Sequence, residues 1–301
     1  MFFKKCVYLF FSFIVISSTA YSAKKEFTHA DIKTSTVEIE GHKEYYDSIG
    51  EGDEYVVLLH GLFGNSGVWH KIMPALANDG FKVIAPDLPG YGWSLGFPIY
   101  DYDLKRQVAL LLEFVDKLKI EKFHVAGNSL GSTLAVSFMN KYHTRIKSIT
   151  FLGSPAGFSF WSKDLHKAIT EGNNPFIPKT ADQFKEEMKL LFFNPPDYPM
   201  EFIKKKLKVY KKNALLDTQI WDIVNIDLYN FVIADQLYTK CPMLILWGKE
   251  DKIFSPEEAQ KLHKRVPGSE LVLMPKAGHL LVLEYHKHVA DIYIKFLNKH
   301  K

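Results

Sequence analysis

Cysteine is almost absent from this 301-residue chain, which has only Cys6 near its start and Cys241 far along it. That scarcity excludes a small disulfide-dense scaffold and a zinc site built from cysteines. An excess of one charge is lacking too. Thirty-eight Lys and Arg against 34 Asp and Glu leave a net charge of +4, too mild on this length to argue for a nucleic-acid partner. No internal repeat or low-complexity segment is present. Hydrophobic residues at 47% and charged residues at 24% are globular values, which argues against wholesale disorder and against a polytopic membrane protein. The length suits one large α/β domain or two small ones.

The first residues differ from everything after them. Lys4 and Lys5 precede an apolar core from Cys6 to Ile16, and Ser17, Ser18, Thr19 and Ala20 follow. That is the order of a secretory signal peptide, with Ser18 and Ala20 at the small-residue positions of a cleavage site. The rival reading is an uncleaved anchor, since no charge occurs from Cys6 to Ala23. The small, polar second half of that stretch favours cleavage. The expectation is therefore a leader over residues 1–20 and an exported protein, ending in the periplasm, at a membrane or outside the cell. Cys241 would then be the one thiol left, and the fold must rely on its core.

From about residue 34 onward, strand-like and helix-like runs alternate. Val37–Ile39 and Lys43–Tyr46 read as an opening hairpin. Tyr55–Leu59, Lys82–Ala85, Phe123–Ala126, Ser148–Leu152, Met243–Trp247 and Leu271–Met274 are continuous apolar runs. Runs of that kind, buried on both faces, belong to a parallel sheet. Helical spacing appears in Leu104–Lys119, Leu130–Tyr142, Pro256–Val266 and His286–Asn298. The alternation predicts an α/β fold, a mostly parallel sheet with helices on both faces. Residues about 157–237 contain no convincing strand and read as a helical insertion, a cap over one end of the sheet within a single domain spanning 21–301.

The sharpest motif is Gly127-Asn128-Ser129-Leu130-Gly131, directly after an apolar strand and at the start of a helix. That is the context of a nucleophile elbow, in which a serine sits on a strained strand-to-helix turn. The alternative is an ordinary glycine-rich turn with a capping serine. A serine hydroxyl is a weak nucleophile and needs a base. Of twelve histidines, His279 lies just past Leu271–Met274, on the rim where ligand sites of open α/β sheets gather. His124 lies inside a strand and reads as a core residue. His263, His286, His288 and His300 read as solvated, and His60 as structural within its own loop. The base needs an acid to fix its tautomer. Asp251, just past Met243–Trp247, fits; Glu250 is the nearest competitor, and Asp222 and Asp227 read as surface or capping groups. Gly153-Ser154-Pro155, the other strand end that could supply an acid, holds none. For a developing oxyanion, the expected donors are the backbone N–H groups of Leu130 and of Leu62 in His60-Gly61-Leu62-Phe63-Gly64.

Together these segments resemble the α/β-hydrolase fold family over almost all of the chain beyond the leader. HGLFGNSGVW, APDLPGYGWS, VAGNSLGS, LWGKEDKIFSP and AGHLLVLE each look like a family segment, in family order. NPFIPKTADQFKEEMKLLFFNPP resembles the cap of membrane-associated monoacylglycerol lipases and related bacterial esterases and lipases. The resemblance implies a serine hydrolase acting on small lipid esters, with no metal and no organic cofactor. The Gly-Asn-Ser start is shared with carbon–carbon bond hydrolases, so the elbow leaves the substrate open. Leu62-Phe63-Gly64 is not the Gly-Pro-Gly loop usual in those enzymes. A non-catalytic ligand-binding relative is the third reading, and a full set of Ser129, Asp251 and His279 argues against it.

Within the cap, Ile203, Leu207, Tyr210 and Ala214 share one helical face, while Lys204, Lys205, Lys206, Lys208, Lys211 and Lys212 fill other positions. An ordinary cap helix with lysines in water is favoured over an interfacial helix in peripheral contact with an anionic membrane. Phe158, Phe160, Trp161, Phe192 and Phe193 are candidates for an acyl pocket or for the cap's own core.

Overall fold

The six apolar runs and the opening hairpin become eight strands, each close to the stretch its composition marks. The computed structural model describes residues 26–154, 161–171, 174–230 and 240–301. The strands are β1 (Lys33–Ile39), β2 (His42–Ile49), β3 (Glu54–Leu59), β4 (Phe81–Pro86), β5 (Phe123–Asn128), β6 (Ile146–Leu152), β7 (Met243–Gly248) and β8 (Glu270–Met274). They form one sheet in the order β1-β2-β4-β3-β5-β6-β7-β8. β1 and β2 form an antiparallel hairpin and β2 runs antiparallel to β4, while every other pairing is parallel. This is the expected α/β-hydrolase architecture.

The runs are continuous rather than alternating because both faces are covered. Along β3, Val57 and Leu59 belong to one apolar cluster and Val56 and Leu58 to the other. The first cluster includes residues of α2 (Leu104–Lys117), α3 (Leu130–Lys141) and α7 (Pro256–Arg265), together with Leu165, Ile220 and Val224 from helices between β6 and β7. The second includes residues of α1 (Met73–Asn78), α8 (Leu281–Glu284) and α9 (His286–Asn298). α2 starts where the Asp103 carboxylate accepts from the N–H groups of Lys105 and Arg106, and it stops at Lys117, two residues short of the sequence reading. Lys119 turns out of it at a φ of 58°.

Between β6 and β7 the described residues hold three helices and no strand: α4 (Lys163–Thr170), α5 (Ala181–Leu191) and α6 (Met200–Asn230). α5 and α6 have a small core of their own, centred on Phe184, Met188, Phe192 and Ile203, with Leu207 and Tyr210 packed against it. Phe192 is thus cap core. The leader 1–20, Phe158, Phe160 and the side chain of Asp227 lie outside the described residues. No helix among the described residues is long and apolar enough to cross a membrane.

Candidate active site

The strand order reverses between β3 and β5: the chain leaves β3 toward β4 on one side, then crosses to β5 on the other. Crevices at such switch points, outside the carboxyl ends of strands, are where open α/β sheets bind ligands. The loop carrying Leu62 follows β3, and Ser129 follows β5.

Ser129 is forced into its position by its neighbours. Its φ of 52° and ψ of −120° lie in a region that costs a non-glycine residue about 1–3 kcal/mol. The turn is held because strand and helix touch without intervening side chains. A Cβ on Gly127 would come within 2.3 Å of Gly131 C and Ser132 N, and one on Gly131 within 2.2 Å of the Leu59 carbonyl oxygen. The Ser129 N–H donates to the Leu152 carbonyl at the end of β6 (3.1 Å), and the Asn128 side-chain amide donates to the same oxygen (3.0 Å).

His279 and Asp251 meet beside that strand end. Nδ1 of His279 lies 3.0 Å from Oδ2 of Asp251, with both residues buried. The other carboxylate oxygen accepts from the N–H groups of Ile253 (2.8 Å) and Phe254 (3.1 Å). A carboxylate only accepts, so Nδ1 carries the proton and Nε2 keeps its lone pair. Gly153, at φ 59°, backs the pair: a Cβ there would stand 3.2 Å from both Asp251 Oδ2 and His279 Nδ1. The end of β6 therefore links Ser129, through Leu152, to the His279–Asp251 pair, through Gly153. Glu250, the competing acid, instead accepts from the Ala277 N–H (3.1 Å).

The oxyanion candidates sit on two adjoining loops. Leu130 is the first residue of α3, so its N–H has no partner within the helix and carries the positive end of the helix dipole. On the facing loop, Gly64 N–H donates to the Gly61 carbonyl (3.0 Å), closing a turn with Leu62 and Phe63 at its corners and Phe63 at φ 55°. A Cβ on Gly61 would come within 3.1 Å of the Ser129 Cβ, so this loop lies directly against the elbow.

His60 anchors that loop and reaches beyond it. Nε2 accepts from the Leu88 N–H (3.0 Å), so Nδ1 donates to the Gly61 carbonyl (2.8 Å). Burial lowers its pKa and keeps the ring neutral. Asp87, which composition did not mark out, completes the frame. Its oxygens accept from Ser66 N–H and Trp93 N–H, each at 2.7 Å. The aspartate that follows an apolar strand is the one visible signal.

Other histidines depart from the sequence reading. His263 bonds Ser269 through Nδ1 (2.8 Å), His300 packs edge-on against Phe296, and the Nδ1 of His286 is buried without a partner. The first two are half-buried, and of these four histidines only His288 is exposed. His124 bonds Ser148 Oγ (2.7 Å) on one ring nitrogen, and its Nε2 faces a Glu54 carboxylate oxygen at 3.6 Å. Its pKa falls to about 4, chiefly through burial. Of the cap aromatics, Trp161 stacks on Phe254 at 5.1 Å, and Phe254 lies 5.8 Å from the His279 ring. A small cavity borders Leu130, walled also by Leu88, Tyr102, Leu104, Leu134 and Val224. No group of three His, Cys, Asp or Glu among the described residues is placed to hold a metal ion.

Comparison with known proteins gives the same architecture. Residues 54–285 match the family model described as the alpha/beta hydrolase fold. Lipase 1 of Psychrobacter immobilis is 28% identical over 94% of this chain and 90% of its own. Monoacylglycerol lipase ABHD6 of Mus musculus is 23% identical over 80% of this chain and 75% of its own. A 2-hydroxy-6-oxononadienedioate/2-hydroxy-6-oxononatrienedioate hydrolase of Burkholderia vietnamiensis is 26% identical over 85% and 91%. Among solved structures, a bacterial membrane phospholipase A superposes with a TM-score of 0.82 at 20% identity, over 90% of this chain and 87% of that one.

Proposed function

This chain belongs to the alpha/beta hydrolase fold family, and on that footing we propose that it is a serine hydrolase of carboxylic esters, of lipase or esterase type. Its substrates are monoacylglycerols or other esters of short to medium acyl chains. The observation that carries the reading is the buried His279–Asp251 pair, seated on the same strand end that holds the strained Ser129. Lipase relatives along nearly the full chain support it.

Nε2 of His279 takes the Ser129 proton as Oγ attacks the ester carbonyl. The Asp251 carboxylate holds the ring in the required tautomer and stabilises the imidazolium that forms. The tetrahedral oxyanion is received by the N–H groups of Leu62 and Leu130. His279 returns the proton to the departing alcohol, leaving Ser129 acylated. Water, activated by the same imidazole, then releases the acid. The N-terminal 20 residues export the protein.

The test is hydrolysis of p-nitrophenyl esters of graded chain length by wild type and Ser129→Ala. Activity that vanishes in the variant supports the proposal. A folded wild-type protein inactive on every ester overturns it. Carbon–carbon bond hydrolysis is the second reading, favoured by the Burkholderia relative; turnover of a vinylogous diketone with none of esters would establish it.

A further inference from the structure

The face of α6 that composition marks as apolar is consumed inside the cap, where Ile203, Leu207 and Tyr210 pack onto α5. A second apolar row remains outside. Phe202, Val209 and Leu216 are spaced by seven residues, so they return to nearly the same side of the helix every two turns. They are 38%, 54% and 38% exposed. Lys205, Lys206 and Lys212 flank this row at helical spacing, Lys204, Lys208 and Lys211 lie further round the same helix, all six are exposed, and the Lys206 ammonium lies 5.7 Å over the Phe202 ring.

The row runs toward a second exposed apolar feature. α6 packs against the 3-10 turn Ile99–Tyr102. The loop leading into that turn exposes Trp93 (75%) and Leu95 (62%), and the turn itself exposes Tyr100 (63%). This loop is held in place. Trp93 N–H is bound by Asp87, Ser94 Oγ accepts from the Tyr45 N–H, and the Tyr102 hydroxyl donates to the Gly90 carbonyl. Its backbone is fixed while its large apolar side chains point to solvent.

We propose that the outer row of α6 and the Trp93–Tyr100 loop together form a docking surface for an anionic lipid bilayer. The charge pattern selects this occupant. Six lysines within nine residues favour an extended anionic plane. A symmetric dimer through the same face would set one lysine cluster against its copy. Tryptophan and tyrosine on a fixed loop suit the headgroup depth of a membrane. Docking does not depend on ester hydrolysis, so its failure and the failure of the enzymatic reading are separable.

The test is sedimentation of the full chain with phosphatidylcholine vesicles, pure or carrying about one-third phosphatidylglycerol. Three proteins are compared: wild type, a triple Phe202→Ser, Val209→Ser, Leu216→Ser variant, and a Trp93→Ser variant. The N-terminal segment is the same in all three, so a difference belongs to the surface. Turnover of a water-soluble short ester, or a thermal melt if no ester is turned over, establishes that each is folded. The expected result is binding of wild type to the anionic vesicles about tenfold or more tighter than to neutral ones, falling with added salt. The triple variant loses about tenfold on anionic vesicles and Trp93→Ser loses several-fold, with folding retained. Equal binding by all three proteins, or equal binding to both vesicle types, overturns the proposal. So does a vesicle-free dimer that the triple variant abolishes, which would make a second copy the occupant.

Discussion

The imidazole of His279 and the carboxylate of Asp251 are paired at 3.0 Å, with the His279 side chain 4% exposed and that of Asp251 not at all. Asp251 spends its other oxygen on the Ile253 and Phe254 N–H groups, and that fixes what an amide would do in its place. In Asp251→Asn, the amide oxygen stays with those two donors and the NH2 faces Nδ1. Nδ1 must then accept, the ring proton moves to Nε2, and the base toward Ser129 is lost. The expected outcome is a loss of about 10⁴ in kcat on an ester substrate with a nearly unchanged thermal midpoint. A drop of tenfold or less would place the acid elsewhere.

The Leu62 oxyanion assignment can be tested although it concerns a backbone N–H. Leu62 occupies the first corner of the Gly61–Gly64 turn, and Phe63 at φ 55° occupies the second. A turn with positive φ at its second corner accepts proline at its first. Leu62→Pro therefore keeps the turn and deletes one hydrogen-bond donor. Loss of about 10²–10³ in kcat is expected, with a smaller change in KM. Unchanged kcat in a folded variant would remove Leu62 N–H from the mechanism.

The sheet was legible because burial on both faces leaves uninterrupted apolar runs such as Val56–Leu59, and each of the eight strands has one or a hairpin equivalent. α1 and α8 were not, because six and four residues are too short to display a helical period. Ser129, Asp251 and His279 stand out as types at strand ends. The groups that fix the surrounding loops do not. Glu284 reaches a residue 91 positions away, and Asp87 holds Ser66 and Trp93 by backbone donors that any residue would supply. Such bonds depend on chain path rather than residue pattern, so composition is silent about them. The exposed row on α6 was hidden for a related reason: only packing shows which of its two apolar faces is used.

Glu284 binds the loop of His279 to the cap. One carboxylate oxygen accepts from Gly278 N–H (2.7 Å), the other from Phe193 and Asn194 N–H (2.9 and 3.0 Å). Leu280 N–H adds a bond to the Leu191 carbonyl (3.0 Å). Glu284→Gln can replace only one of the two accepting oxygens and leaves donors on one side unpaired. A shift of His279 by even about 1 Å would cost about 10²-fold in kcat. The variant is expected to lower kcat tenfold or more and to slow fluorophosphonate labelling of Ser129 in parallel. Labelling at the wild-type rate would confine Glu284 to cap attachment.

Glu187 makes the cap sensitive to pH. It is buried between α5 and α6, and burial raises its pKa to about 8, although the Tyr210 hydroxyl and the nearby Lys206 pull the other way. In the unfolded chain it ionises in the usual carboxylate range. Between those values the folded protein holds the extra proton, so stability is fully present at low pH and is lost as pH rises through about 8. Thermal midpoints measured from acid to mildly alkaline pH should fall less steeply for Glu187→Gln than for wild type, the two curves diverging by at least about 2 °C above the transition. Parallel curves would show that the carboxyl is ionised and solvated in the folded cap.

Gly153 offers a sharper probe of the site than either member of the buried pair. Alanine there meets two penalties: a φ of 59° and a Cβ at 3.2 Å from both Asp251 Oδ2 and His279 Nδ1. The first costs about 1–2 kcal/mol of stability wherever it occurs. The second presses on the bond that sets the imidazole tautomer. Gly268 separates the two effects, because it has φ 93° and nothing within 4 Å of its missing Cβ. Gly268→Ala should lower the thermal midpoint and leave kcat intact. Gly153→Ala should lower the midpoint comparably and reduce kcat by about tenfold to 10²-fold, since the pair can relieve the contact only by opening. Equal kcat in the two variants would mean that the His279–Asp251 geometry tolerates displacement, and that reactivity at Ser129 does not depend on how tightly this pair is held.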